Sequence, residues 1–360
     1  MQVSIQPFTV HKQVPLTISR GTSQGSTNLW VRLQADGIEG WGEATPFSIG
    51  KRGQSWEAIA AELQAFIPKL APHHPLEHQI IENLMVKAGL GSASRAAIDV
   101  ALQDWLGKRA NLPLWQLWGL NLDAIGPTAV TIGISEPPAA VSRLQRWLEQ
   151  IPARSFKLKL GSPDGIEADQ NSVAALLPHI PTGSKISVDA NGGWSLTEAL
   201  SMADWLAERG IVYLEQPLAA SAEAEFKALY QRSPLPIFAD ESCWTRQDIP
   251  RLAPYVHGIN IKLMKSGGLS EARRMIDTAR ALGLQVMFGC YSDSVLSNTA
   301  LAQLAPLADH LDLDSHLNLK NDPFCGAEVT SQGTLVPNRL PGLGVTQALS
   351  LGVPNHAPYR

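Results

Sequence analysis

Residues 155–189, SFKLKLGSPDGIEADQNSVAALLPHIPTGSKISVD, read as a strand, a helical stretch and a second strand. Two strands joined through a helix point the same way, because a parallel pair needs a long crossover. The same texture continues on both sides. Short apolar runs start near residues 128, 155, 185, 212, 237, 258, 285 and 310, at intervals of 27, 30, 27, 25, 21, 27 and 25 residues. Each interval fits one strand, one helix and two loops. Eight such units close more naturally as a parallel β/α barrel of the TIM type than as an open sheet.

Upstream of the barrel the pattern is antiparallel. Residues 3–9, 28–34 and 38–43 alternate like strands, the last two joined by Ala35-Asp36-Gly37, a turn that favours a hairpin. Apolar residues then fall at helical spacing over 55–70 and 92–106, with Ser55 and Ser92 placed to cap each start. The expected organisation is an α+β domain over residues 1–122 and the barrel over 123–330. A Pro/Gly-rich segment over 331–360 returns to the first domain.

Composition sets bounds on partners. The chain has 360 residues, 44% hydrophobic and 17% charged, enough apolar surface for a large core and too little charge for disorder. Its net charge of −4 contains no long basic run, so nucleic acid is not an expected partner. Residues 1–10 lack a basic leader region and no run of 18 apolar residues occurs, so neither export nor a membrane is expected. Cys243, Cys290 and Cys325 form no metal-binding spacing and read as reduced thiols of a cytoplasmic protein. Homo-oligomer formation is compatible with all of this.

In such barrels chemistry gathers at the C-terminal ends of the strands. The third, fourth and fifth strands end in Asp189, Glu215 and Asp240, one carboxylate each on neighbouring strands. One strand-end acid is explained by capping the next helix; three in a row repel unless a cation holds them. An all-oxygen set without His or Cys suits a hard divalent ion, Mg²⁺ better than Ca²⁺ or Zn²⁺. Lys157 and Lys159 share one face of the second strand, and Lys262 ends the sixth, so amines flank the acids on both sides. Two bases about a metal-bound carboxylate suit proton abstraction at the α-carbon through an enediolate, with Lys157 depressing the pKa of Lys159 by repulsion. Lys265, past the strand end, reads as supporting or phosphate-like loop charge without a catalytic role.

Taken together, KLK (157–159), VDANGGW (188–194), LEQPL (214–218), ADES (239–242) and NIKLMKSGG (260–268) resemble the enolase superfamily, in particular its muconate-lactonizing-enzyme subgroup. GWGEATP (40–46) and the stretch over 92–108 resemble the capping domain of the same proteins. The resemblance implies a modified, enolase-like barrel with a capping domain completed by the C-terminal tail. It also implies that Asp189, Glu215 and Asp240 hold Mg²⁺, that Lys159 and Lys262 are the acid/base pair, and that Lys157 is auxiliary. Asp312-Leu313-Asp314 on the eighth strand is similar to the Asp-x-Asp of the dipeptide epimerases, where the pair receives the substrate ammonium. The expected activity is therefore epimerisation of L,L to L,D dipeptides by 1,1-proton transfer.

The alternatives within the subgroup are an o-succinylbenzoate synthase, an N-acylamino acid racemase or a cycloisomerase; outside it, a catalytically silent barrel. The eighth strand is expected to lie outside the metal trio. Side-chain specificity is assigned to Arg20, on a loop expected over residues 16–25, and to Cys290 and Ser292 after the seventh strand. Ser292 stands where relatives that favour Ala-Glu often carry a bulky aliphatic residue.

Overall fold

The computed structural model describes residues 1–49 and 53–348. The chain begins with an antiparallel sheet of β1 (Gln2–Ile18), β2 (Gly21–Ala35) and β3 (Ile38–Ala44). Asp36 and Gly37 both have positive φ, 52° and 74°, as the two-residue turn between β2 and β3 demands. Three helices follow, α1 (Trp56–Leu70), α2 (His78–Lys87) and α3 (Ser92–Ala110). Helix α3 lies directly on β3. A Cβ on Gly42 would stand 2.0 Å from the Ala97 carbonyl oxygen, and one on Gly40 2.1 Å from that of Ala101, so only glycine permits the approach.

The two serines differ in role. The Ser55 hydroxyl accepts from the Ala58 N–H and caps α1. Ser92 instead is the first helical residue of α3, behind Gly91. The free N–H groups there are taken by side chains from elsewhere, Gln54 accepting from Ala93 and Glu62 from Gly91.

Eight parallel strands form the barrel: β4 (Ala129–Ile132), β5 (Ser155–Lys159), β6 (Lys185–Asp189), β7 (Leu214–Glu215), β8 (Ile237–Ala239), β9 (Gly258–Ile261), β10 (Gln285–Gly289) and β11 (His310–Asp312). Each pairs with the next in order. The circle closes between β11 and β4 on the Thr128–Leu311 bridge, reinforced by side chains. The Thr128 hydroxyl accepts from the Leu313 N–H at 3.0 Å, and Asp314 Oδ2 accepts from the Thr131 N–H at 2.6 Å. Most crossovers carry a helix of eight residues or more, but the β8 to β9 connection holds only the single turn Ile249–Leu252. That connection belongs to the shortest of the sequence intervals.

Residues 16–25 are not a loop. Leu16, Thr17 and Ile18 pair with Ser23, Thr22 and Gly21, so the β1–β2 hairpin runs on to a tip at Ser19 and Arg20. That hairpin rests against the barrel, the Ile134 N–H donating to the Thr17 carbonyl at 2.9 Å. The other edge of β1 is held by the segment after β11. The His11 N–H donates to Asn321 Oδ1, and Asn318 exchanges two hydrogen bonds with the Val14 backbone. Near the C-terminus, Gly342 exchanges backbone hydrogen bonds with Leu112 and Leu114, and the Leu343 N–H donates to Asp104 of α3. The remainder of the expected returning segment, residues 349–360, lies outside the described residues. Among the described residues no helix is long and apolar enough to cross a membrane.

Candidate active site

The ladder register sets Lys159 opposite Asp189 and Asp189 opposite Glu215, so β5, β6 and β7 present these three side by side at the barrel mouth. Asp240 follows the last residue of β8. Asp189, Glu215 and Asp240 are fully buried, and each brings a carboxylate oxygen within 4.8 Å of the others. Such a compact set of three hard oxygens fits a divalent cation of the Mg²⁺ type.

The residues after these acids keep them in place. Asn191 and Gln216 take left-handed backbone conformations, φ 46° and 35°. Asn191 folds back on Asp189, donating from its N–H to Oδ1 at 2.8 Å and from Nδ2 to Oδ2 at 3.0 Å. Gln216 reaches across to the next strand, where its Oε1 accepts from the N–H groups of Asp240 and Ser242 at 2.9 and 3.2 Å. Period-two alternation on β9 brings Asn260 inward with Lys262, and its Nδ2 donates to Glu215 Oε1 at 2.6 Å.

Lys159 and Lys262 flank the acids. Lys159 Nζ lies 2.6 Å from Asp189 Oδ2, and Lys262 Nζ 2.7 Å from Asp240 Oδ2. With β5 and β9 four strands apart in a barrel of eight, the two amines approach the mouth from opposite sides. Lys157 is buried and sits 2.5 Å from both Glu215 Oε2 and Asp312 Oδ2, and 3.4 Å from Asp189 Oδ2. Asp312 on the eighth strand supplies no atom to the group of three acids but is linked to it through Lys157.

Burial works against the Lys157 ammonium, but Asp312, Glu215 and Asp189 outweigh it and hold its pKa well above the usual lysine value. Burial, with Asp189 close by, pushes the Glu215 carboxyl up to about 7. Asp240 goes the other way, since Lys262 and Lys265 overcome its burial and hold it well below the usual carboxylate range. Lys265 is buried and supporting, and is not phosphate-like loop charge: its ammonium donates to Asp240 Oδ1 and to the carbonyls of Asp240, Cys243 and Asn260. Its place three residues beyond Lys262, one helical turn past the strand end, was the only sequence signal for this.

A cavity of about 170 Å³ opens beside Lys159 and is lined by Asp312, Asp314, Cys290 and Tyr291, together with Lys12 from β1. Burial, and next the charge of Asp312, raises the Asp314 carboxyl to about 6. Cys290 donates to the Asp312 carbonyl at 3.2 Å, and burial lifts its thiol to about 12, so it stays protonated. Ser292 is not among the lining residues; its hydroxyl accepts from Lys12 Nζ at 2.8 Å. Arg20 is elsewhere. It lines a separate cavity of about 720 Å³, where its Nη1 pairs with Glu241 Oε1 at 2.7 Å and donates to the Asn191 carbonyl at 2.9 Å. The hairpin tip is thus fastened to residues adjoining Asp189 and Asp240. Lys12, Asn191 and Gln216 had no assigned role from sequence.

Residues 1–119 match the model of the mandelate racemase / muconate lactonizing enzyme N-terminal domain, and residues 139–348 that of the enolase C-terminal domain-like family. The chain is 42% identical to a hydrophobic dipeptide epimerase of Flavobacteria bacterium (strain MS024-2A), covering 96% of this chain and 97% of that one. It is 41% identical to a hydrophobic dipeptide epimerase of Roseobacter litoralis, over 99% and 100%. Among solved structures, the dipeptide epimerase of Enterococcus faecalis V583 complexed with Mg and the dipeptide L-Leu-L-Tyr superposes with a TM-score of 0.89, at 29% identity, covering 96% and 99% of the two chains.

Proposed function

The chain belongs to the mandelate racemase / muconate lactonizing enzyme family, and on that premise we propose that it is a Mg²⁺-dependent dipeptide epimerase in which Lys159 and Lys262 exchange the α-proton. The observation that carries this reading is the placement of two lysines on opposite strands, β5 and β9, about three buried acids, with Asp312 and Asp314 opening into the same mouth. Asp189, Glu215 and Asp240 would hold the metal. A bound Mg²⁺ would supply Lewis acidity to the substrate carboxylate and stabilise the negative charge that grows there when the α-proton leaves.

Asp312 and Asp314 receive the substrate's free ammonium through charge-assisted hydrogen bonds and so orient the amino-terminal residue. One lysine, as the neutral amine, takes the α-proton from one face of the carbon. The other, as the ammonium, returns a proton to the opposite face and inverts the centre. The protein is left with the protonation states of its two lysines exchanged, ready for the reverse reaction. Lys157 keeps its positive charge among Glu215, Asp189 and Asp312 and limits their mutual repulsion. Cys243, Cys290 and Cys325 form no disulfide with one another, in keeping with a cytoplasmic enzyme.

The test is incubation with Mg²⁺ and a panel of L,L-dipeptides in D₂O, followed by mass spectrometry and chiral chromatography. One deuterium at the α-carbon of the carboxy-terminal residue, together with the L,D epimer, is the expected result. Failure of every free dipeptide to exchange refutes the function.

A further inference from the structure

The cavity beside Lys159 carries more positive charge than dipeptide epimerisation requires. Lys12, 6% exposed, reaches it from β1, and Arg143, 9% exposed, from the helix Pro137–Gln150. The Lys12 ammonium hydrogen-bonds the neutral hydroxyl of Ser292, and no carboxylate of the described residues lies within ion-pair distance of it. Arg143 stacks on the Trp147 ring, Cζ 4.0 Å from its centroid, and has no hydrogen bond or ion pair among the described residues. Trp147 is itself fixed, its Nε1 donating to the Thr131 carbonyl at 2.9 Å. The stacking leaves the guanidinium's planar edge of donors open.

Two buried cations without a contacting anion are costly. Asp314 faces both and Asp293 also faces Lys12, yet Asp314 is already bonded to the Thr131 N–H and Asp312 to Lys157. The substrate ammonium adds a third positive charge. Burial lowers the pKa of Lys12, and lowers that of Arg143 to about 10, as expected of cations short of a partner. Val14, Leu16, Ile134 and Ala139 supply an apolar wall beside the two charges.

Resting on the dipeptide-epimerase reading above, we infer that Lys12 and Arg143 form a subsite for a carboxylate-bearing side chain, so that the preferred substrates carry an aspartyl or glutamyl residue at the amino-terminal position. The Arg143 fork suits a carboxylate's two oxygens, Lys12 adds a point charge, and the apolar wall covers the methylenes. Arg20, to which side-chain specificity was first assigned, is occupied by Glu241.

The test compares kcat/KM for L-Glu-L-Leu with the isosteric neutral L-Gln-L-Leu, with L-Ala-L-Leu as reference. In the wild-type protein the glutamyl substrate is expected to lead its isostere by about 30-fold, and in Lys12→Met or Arg143→Met that ratio falls by about tenfold. A wild-type ratio near one, or a ratio unchanged in both variants, overturns the subsite. Turnover of L-Ala-L-Leu without a preference for L-Glu-L-Leu overturns the subsite alone. Absence of α-deuterium exchange with every dipeptide overturns the function and the subsite with it.

Discussion

Lys265 and Asp240 are joined twice, the ammonium donating at 2.5 Å both to the carboxylate Oδ1 and to the backbone carbonyl of the same residue. Replacing Lys265 with Met removes a buried countercharge from Asp240 and leaves the carbonyls of Cys243 and Asn260 without this donor. Breaking a buried pair from one side costs about 3–5 kcal/mol. The expected outcome is a matching fall in the urea-unfolding free energy. Asp240 is depressed in the folded state, so the stability it adds is present above its unfolded pKa and lost as the pH falls. The Lys265→Met deficit should therefore be largest near neutral pH and shrink in acid; a deficit independent of pH contradicts the assignment.

Glu215→Gln keeps the bulk of the side chain but removes one of three negative charges from the buried acid cluster. Mg²⁺ affinity measured by calorimetry should fall by about 100-fold or more, and turnover with it. Retention of full activity by the wild-type protein after exhaustive chelation would remove the metal from the mechanism.

The lysines are expected to separate the two half-reactions. Lys159→Ala and Lys262→Ala should each abolish epimerisation, while the surviving lysine still exchanges the α-proton of one epimer in D₂O. The two variants should favour opposite epimers. Exchange of the same epimer by both places the lysines on one face and contradicts the mechanism.

The raised pKa of Asp314 predicts the acid limb of the pH profile. The carboxylate must be ionised to receive an ammonium, so kcat/KM for a free dipeptide should rise with pH through about 6. In Asp314→Asn that limb should vanish and kcat/KM should drop. Asp314→Asn is a cleaner probe than Asp312→Asn, because Asp312 also holds Lys157 and through it the metal acids. A limb unchanged in Asp314→Asn assigns it to another group.

Acetylating the substrate's amino terminus tests the same contact from the other side. It removes the charge and adds bulk, a loss of about 30-fold to several thousandfold in kcat/KM. An N-acetylated amino acid processed as fast as the best free dipeptide argues for an N-acylamino acid racemase instead.

Much of the fold was legible in the sequence because buried parallel strands are short apolar runs and their crossovers have similar length. The exception was not: the 21-residue interval reads like the others, yet the connection after β8 holds only one helical turn. The hairpin tip over residues 16–25 was hidden because its partners are Thr, Ser and Gly, which carry no apolar alternation. Ser92 misled because its neighbours Gln54 and Glu62 cap α3 from a distance that only folding closes. The acids and lysines at the strand ends could be named from spacing alone. The link between Asp312 and the acid cluster could not, since Lys157 makes it across four strands. Lys12 and Arg143 were missed for the same reason: which side of a strand or helix meets a cavity depends on how the elements dock.

The seam between β1 and the segment after β11 also sets an order of events during synthesis. The bonds of Thr9, His11 and Val14 to Asn318 and Asn321 join residues 304 to 312 positions apart. At about 5–20 residues per second, tens of seconds separate the emergence of the first strand from that of the groups that cover its outer edge. For that time the nascent chain carries an unpaired strand edge, the surface on which chains most readily add to one another. The polar residues scattered along β1, among them Gln2, Ser4, Gln6, Thr9, His11 and Gln13, keep that waiting edge wet until the barrel is complete.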